Sequence, residues 1–90
     1  MKLGAYVCSS RGRDANKCFL VVDILDEAYV LISDGKSRKI QNPKKKKIKH
    51  LVLLGEGDRE ITQMLENKKA VTNKMIYGAI KNLNANKREE

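Results

Sequence analysis

The run Cys18–Leu25 (CFLVVDIL) most constrains what this 90-residue chain can fold into. It is rich in Val, Ile and Phe and contains neither Gly nor Pro, which is typical of a β-strand. Asp23 is expected to face solvent. By the two-residue period of a strand, Leu20, Val22 and Ile24 then lie on the opposite, inner face. A chain of this length can form one domain around a small core.

Short strands on both sides of this run predict a small sheet. The sequence favours further strands at residues 4–10, 28–33, 36–41 and 48–54. Asp34-Gly35 is typical of a tight hairpin turn, and Asn42-Pro43 ends the strand before it. Because so short a chain protects its edge strands best by curling the sheet, residues 4–54 predict a barrel of four or five strands.

From Gly55 onward the spacing of apolar residues changes to that of helices. The segment 55–58 combines two glycines with acidic residues and predicts a helix start, and the first helix is expected to end near residues 67–69. Thr72 or Asn73 can cap a second helix. The apolar positions with helical spacing are Ile61, Met64 and Leu65 in the first helix, and Met75, Ile76, Ala79, Ile80 and Leu83 in the second.

These apolar stripes predict helices that pack against the barrel or against each other. A helix-turn-helix DNA reader has similar spacing, but the second helix lacks the basic and amide residues that read bases. The sequence therefore predicts a barrel at residues 1–54, a helical extension at 55–84 and a disordered tail at 85–90.

The two cysteines, Cys8 and Cys18, lie inside apolar runs and are predicted to be small buried thiols. They do not form a disulfide framework, and a zinc site would need about four ligands. No apolar stretch approaches the roughly 18 residues of a membrane span, and the N-terminus does not resemble a signal peptide. The sequence thus predicts a soluble cytoplasmic protein without metal or cofactor.

The segment Lys36–His50 carries eight Lys or Arg residues, one His and no acidic residue. Residues 1–50 hold twelve basic and five acidic residues, so +7 of the chain's net charge of +8 lies in this half. Self-repulsion opposes such a density of like charge, and a polyanionic partner is the simplest reason to keep it. Phosphate backbones are the commonest such partner. A solvated, flexible basic loop without a specific role is the alternative.

Catalytic signals are weak. His50 is the only histidine and lies among lysines, and no Ser/His/acid or Cys/His arrangement is visible. Gly55-x-Gly57 precedes a helix, but two glycines alone do not make a nucleotide-binding loop. The sequence therefore predicts a protein that is not an enzyme.

The segment Gly4–Val22 resembles the KOW motif, a strand-loop-strand unit of SH3-like barrels in ribosomal proteins and transcription elongation factors. The motif usually has Gly where this chain has Asn16, which can also adopt the left-handed backbone conformation. Further matching stretches are Asp34-Gly35, Arg38-Lys39, Pro43–Lys47 and Lys49–Leu51. With them, the chain resembles bacterial KOW-domain RNA-binding proteins related to large-subunit ribosomal proteins of the L14e/L6e/L27e type. The resemblance implies an SH3-like barrel of about five strands, to which the segment after Leu54 has no counterpart. With the two short helices that the apolar spacing predicts there, the expected fold class is mainly β.

Charge pattern and resemblance together predict a non-enzymatic RNA-binding protein of the ribosome or translation, which contacts RNA phosphates through a lysine-rich loop. Phe19 and Tyr29 are expected in the core, so recognition by shape and backbone is predicted. The predicted RNA-binding residues are Arg11, Arg13, Lys17, Lys36, Arg38, Lys39, Lys44, Lys45, Lys46, Lys47, Lys49 and His50. Ribosomal RNA and ribosomal proteins are the predicted partners.

Two alternatives remain open from the sequence. The chain could be a protein-interaction adaptor whose C-terminal helices dock on a polymerase, a ribosomal protein or a second copy. Binding to duplex DNA is the other alternative, because phosphate contacts alone do not distinguish duplexes.

Overall fold

The computed structural model describes residues 1–13 and 15–88, with side chains up to residue 85. The strands are β1 (Tyr6–Ser9), β2 (Cys18–Ile24), β3 (Tyr29–Ser33), β4 (Lys44–Lys47) and β5 (Leu51–Gly55), with a 3₁₀ turn at Ile48–His50. Two helices follow, α1 (Arg59–Glu66) and α2 (Asn73–Arg88). The prediction of a five-stranded sheet followed by two helices is therefore confirmed.

The strands form one antiparallel sheet with the order β4-β3-β2-β1-β5. This order makes β4 and β5 the two edges. Among the described residues, the edges form no ladder with each other, so the sheet is open.

Both faces of the central strands are buried. One face joins Val7, Phe19, Val21, Val30 and Ile32 in a cluster with the 3₁₀ turn, and all five side chains are fully buried. The other face presents Tyr6, Leu20 and Val22 to the two helices. The sequence predicted a single inner face on β2 and was wrong in this respect. Val21 is buried opposite Leu20, and Ile24 is exposed where β2 ends.

The predicted basic strand at 36–41 is wrong. Residues 34–43 form a loop, in which the Asp34 carboxylate accepts hydrogen bonds from the backbone N–H of Lys36 (2.9 Å) and Arg38 (2.8 Å). The strand comes later, because residues 44–47 pair with β3 and gain its backbone hydrogen bonds. The lysine-rich loop of the prediction is thus an edge strand, and charged side chains on an edge also deter pairing with other chains. The predicted strand at 48–54 begins only at Leu51.

The predicted cap of the second helix is confirmed, because the Thr72 hydroxyl accepts a hydrogen bond from the backbone N–H of Met75 (3.2 Å). The first helix starts where the sequence predicted, and there the Asp58 carboxylate accepts a hydrogen bond from the backbone N–H of Ile61 (2.9 Å). Helix α2 runs to Arg88 and so overlaps the predicted tail at 85–90, of which residues 89 and 90 lie outside the described residues. Within the described part of the chain, no helix is both long and apolar enough to span a bilayer.

The helices and the sheet share one core cluster. Helix α1 contributes Ile61, the connection contributes Val71, and α2 contributes Ile76, Ala79 and Ile80. The apolar stripes of both helices are consequently buried against the sheet, as the sequence predicted.

Cys8 and Cys18 form a disulfide, so the prediction of two buried thiols is wrong. They face each other on β1 and β2, with 4.1 Å between their Cα atoms. The adjacent pair Ser9 and Lys17 is hydrogen-bonded (2.9 Å), so the cysteines occupy a non-hydrogen-bonded pair, where opposite side chains come closest. The cysteines therefore no longer argue for a reducing compartment.

Candidate nucleic-acid interface

The lysines of β4 are divided between the two faces of the strand. Lys45 and Lys47 lie on the face of Tyr29, with their ammonium nitrogens 4.5 and 5.9 Å from the ring centroid. Lys44 and Lys46 point to the opposite face, as the two-residue period of a strand requires. Tyr29 was expected in the core but is only half-buried. The lysines extend across its ring.

Hydrogen bonds hold the β1–β2 turn against β4 and the turn that follows it. The Lys46 ammonium donates to the backbone carbonyl of Arg11 (3.1 Å). The backbone N–H and the hydroxyl of Ser10 both donate to the carbonyl of His50 (2.9 Å each). Two basic stretches that are more than thirty residues apart in sequence are thereby brought together.

The charges that act on His50 show that these two basic stretches lie close together. Withdrawal of its ring from water lowers the pKa of His50, and the nearby charges of Arg11, Lys49, Lys47 and Lys46 lower it further. We refer to Arg11, Lys46, Lys47, Lys49 and His50 as the basic cluster. The cations that disfavour an imidazolium also favour a bound anion.

The β1–β2 turn keeps the conformation that the sequence predicted. Asn16 has a φ of +70°, in the left-handed region, and its backbone N–H donates to the carbonyl of Ser9 (2.8 Å). Arg11 and Arg13 are exposed in the same turn.

The loop at 34–43 is held by the first turn of α2. The Asn73 side-chain carbonyl accepts from the backbone N–H of Ile40 (2.7 Å), and its amide donates to the side-chain carbonyl of Gln41 (2.8 Å). Gly35 has a φ of +75°, and a Cβ there would overlap the backbone carbonyl of Asn73. Contacts with α2 therefore fix the position of the loop at residues 34–43.

The predicted site residues form separate groups. Lys17 and Lys36 lie on a cavity beside α2, apart from the basic cluster, together with Lys81 and Tyr77. In the loop, Lys39 is exposed and Arg38 is half-buried. The sequence reasoning missed Lys81, Tyr77 and Asn73. The spacing of Tyr77 and Lys81, four residues apart and so on one helix face, was the signal that could have identified two of them.

Metal binding has no support in the described residues, which contain no group of three or more His, Cys, Asp or Glu side chains arranged to hold an ion. The side chains that converge are lysine, arginine, histidine and tyrosine. These groups bind anions and stack on planar ligands.

No family model matches the chain. The chain is 30% identical over 74 residues to the large ribosomal subunit protein eL14 of Aeropyrum pernix, and the match covers 73% of the chain and 74% of that relative.

Proposed function

The chain belongs to the family of the large ribosomal subunit protein eL14, and from this premise we propose that it is a non-enzymatic RNA-binding protein of the ribosome. Its proposed partners are ribosomal RNA and neighbouring ribosomal proteins in the cytoplasm. The name of the relative supports the ribosomal part of this proposal. The surface charges of the chain support the RNA part.

The observation that carries the proposal is the basic cluster. Lys46 bonds to the backbone of Arg11, and the charges of Arg11, Lys46, Lys47 and Lys49 all act on His50, so the two basic stretches lie close together. The cations there already repel one another, and after withdrawal of the ring from water their charges are the further cause that lowers the pKa of His50. RNA phosphates would relieve this repulsion and release their condensed counterions.

Lysine-dominated contacts favour the phosphate backbone over base edges. We therefore propose that the basic cluster recognises structured RNA by its shape and backbone. Binding of this kind weakens steeply with salt, because each neutralised phosphate contributes about 0.7–0.9 to the slope of log affinity against log salt.

We also propose that the five strands form an SH3-like barrel that is open between β4 and β5, and that β1, β2 and their turn form a KOW unit. The buried face with Val7, Phe19 and Val30 supports the barrel, because the other described members of its cluster are strand residues, Ala5 just before β1 and Ile48 of the 3₁₀ turn. Asn16, at the position where the motif usually has Gly, supports the KOW unit by its left-handed conformation.

The adaptor alternative has weaker support. Docking through the C-terminal helices would use their apolar stripes, but Ile61, Ile76 and Ile80 are already buried against the sheet.

Binding of the full chain to ribosomal RNA, duplex DNA and heparin across a salt series tests the proposal. We expect a preference for structured RNA that persists at physiological salt. Equal and equally salt-sensitive binding to all three polyanions would contradict it, since the cluster would then be a general electrostatic surface.

A matched pair of double variants tests whether RNA binds at the basic cluster. Lys47→Gln with Lys49→Gln removes two charges from the basic cluster, whereas Lys69→Gln with Lys74→Gln removes two exposed charges outside it. We expect the first pair to weaken RNA binding and to lower the salt slope by about 1.4–1.8. Lys46 is left intact because it holds the backbone of Arg11. Equal losses in both double variants would refute this assignment.

A further inference from the structure

Beside α2 lies a cavity of about 330 Å³ that the basic cluster does not include. The β1–β2 turn, the loop after β3 and one face of α2 surround it. Its volume is at the lower end of the range of about 300–1,000 Å³ for small-molecule sites. We call it the α2 cavity.

One stripe of α2 forms a wall of this cavity. Tyr77, Lys81 and Asn84 line it and are spaced four and three residues apart, which places them on the same helix face. The neighbouring position Ile76 is fully buried in the core, and Ile80 belongs to the core and also lines the cavity. The cavity-facing stripe therefore lies beside the stripe that holds the helix to the sheet and meets it at Ile80.

Tyr77 is an aromatic side chain that packing does not explain. It is 46% exposed, whereas Tyr6 is 4% exposed. The ammonium nitrogen of Lys36 lies 5.6 Å from the centroid of its ring. An exposed ring with a cation beside it is the arrangement with which proteins stack a nucleic-acid base and hold its phosphate.

The charge of the cavity also suits a nucleotide. Three exposed lysines, Lys17, Lys36 and Lys81, line it, against one acidic residue, Asp34. The Asp34 carboxylate is engaged by the backbone N–H of Lys36 and Arg38, as described above. The lysines are left to attract phosphates.

Asn84 can contact the edge of a base. The hydroxyl of Tyr6 donates a hydrogen bond to the side-chain carbonyl of Asn84, so the amide end of that side chain is left as a donor. The Tyr6 hydroxyl is protonated at neutral pH, and burial raises its pKa further, so it remains a donor for this bond.

We propose that the α2 cavity binds one unpaired RNA nucleotide, whose base stacks on Tyr77 while the three lysines hold the flanking phosphates. This inference rests on the proposed function and adds a second mode of contact to it. The basic cluster would hold paired RNA by its backbone, and the α2 cavity would capture a bulged or looped-out nucleotide beside it. Stacking tolerates any base, so the site selects an unpaired nucleotide more than a particular base.

The test uses the full chain and two RNA hairpins with the same stem, one fully paired and one with a single bulged uridine. Fluorescence anisotropy at fixed salt gives both dissociation constants. We expect the wild-type chain to bind the bulged hairpin about tenfold more tightly. Tyr77→Ala should abolish this preference and keep binding to the paired hairpin. Tyr77→Phe should keep the preference, because the ring is retained.

Two further variants separate this site from the basic cluster. Lys81→Gln should weaken only the binding of the bulged hairpin. The double variant at Lys47 and Lys49 should weaken both hairpins and leave their ratio unchanged. Circular dichroism of every variant checks that the fold is kept.

Crosslinking provides a readout that does not depend on affinity. A 4-thiouridine at the bulge should attach to the tryptic peptide of residues 75–81, which contains Tyr77. Attachment to the peptide that carries Tyr29 would overturn the assignment.

The other outcomes are also decisive. Equal wild-type affinity for the two hairpins, or a preference that survives in Tyr77→Ala, would overturn the α2 site and leave the proposed function standing. Failure of the wild-type chain to bind either hairpin would overturn both. Displacement of the bulged hairpin by a polyglutamate peptide of the same charge, at equal concentration, would show a general polyanion surface and overturn the nucleotide assignment.

Discussion

The substitution Ile76→Ala tests whether the helices and the sheet form one cooperative core. Ile76 is fully buried on α2 and belongs to the cluster that contains Tyr6 and Leu20 of the sheet. Truncation of a buried Ile to Ala costs about 2–5 kcal/mol, because apolar contacts are lost and a cavity is left. A chain of this length has a total free energy of unfolding of roughly 5–13 kcal/mol. The variant should therefore lose a large part of its stability.

Urea unfolding of the oxidised protein measures this loss. Far-UV circular dichroism reports the helices and strands. Tyrosine fluorescence in a background that combines Tyr29→Phe with Tyr77→Phe, and so keeps only Tyr6, reports the junction between helices and sheet. In a cooperative fold, both signals follow one transition, which Ile76→Ala shifts to lower urea as a whole. The thermal midpoint should fall by at least about 8 °C. Lys74→Ala, an exposed position on the same helix, is the control and should change stability by no more than about 0.5 kcal/mol.

Two results would refute the reasoning. An unchanged unfolding midpoint in Ile76→Ala would mean that α2 adds little to the core. Two separate transitions, of which only the helical one moved, would mean that the sheet folds without the helices.

Two further predictions concern the basic surface and its support. Gly35→Ala should destabilise the fold by at least about 1–2 kcal/mol, because alanine is disfavoured at positive φ and its Cβ would overlap the carbonyl of Asn73. Gly78→Ala, inside α2 and in open space, should instead stabilise it by about 0.5–1 kcal/mol, and thermal melts that fail to show these opposite signs would contradict the structure. RNA affinity should strengthen as the pH falls through 6.5, the ordinary pKa of histidine. Nearby cations lower the pKa of His50 in the free protein, and bound phosphates would offset them and raise that pKa again, so that RNA binding takes up a proton. Anisotropy titrations should show this pH dependence in the wild type and not in His50→Gln, and a flat wild-type profile would count against phosphate binding at the basic cluster.

Local features were predictable because their causes lie within a few residues. Thr72 caps a helix through its own side chain, the glycines and acidic residues at 55–58 mark a helix start, and Asn16 tolerates a left-handed turn wherever it occurs. The apolar spacing of Ile61 and Ile76 likewise predicted which helix faces are buried. In each case the propensity of the residue agrees with the fold, so no distant contact has to override it.

The strand predicted at residues 36–41 was wrong because the sequence does not show which basic residues pair with β3. Residues 36–41 and 44–47 are both basic, and only the partner strand decides which of them extends. Pairing with β3 selected residues 44–47, while Asp34 and Asn73 held the preceding residues in a loop. The same holds for Cys8 and Cys18, because a spacing of ten residues does not show that two cysteines face each other across a hairpin.

By itself, the sequence determined the classes of element, their caps and turns, and a basic surplus concentrated in residues 1–50. These follow from periodicity, side-chain chemistry and charge, which act locally or simply add up. Only the tertiary structure decided that Lys46 meets Arg11, that β2 is buried on both faces, and that Tyr77 shares a cavity with Lys36. Each of these depends on strand register and helix docking. Strand register and helix docking are selected because they bury the apolar side chains of the whole chain together, and no single stretch of sequence determines them.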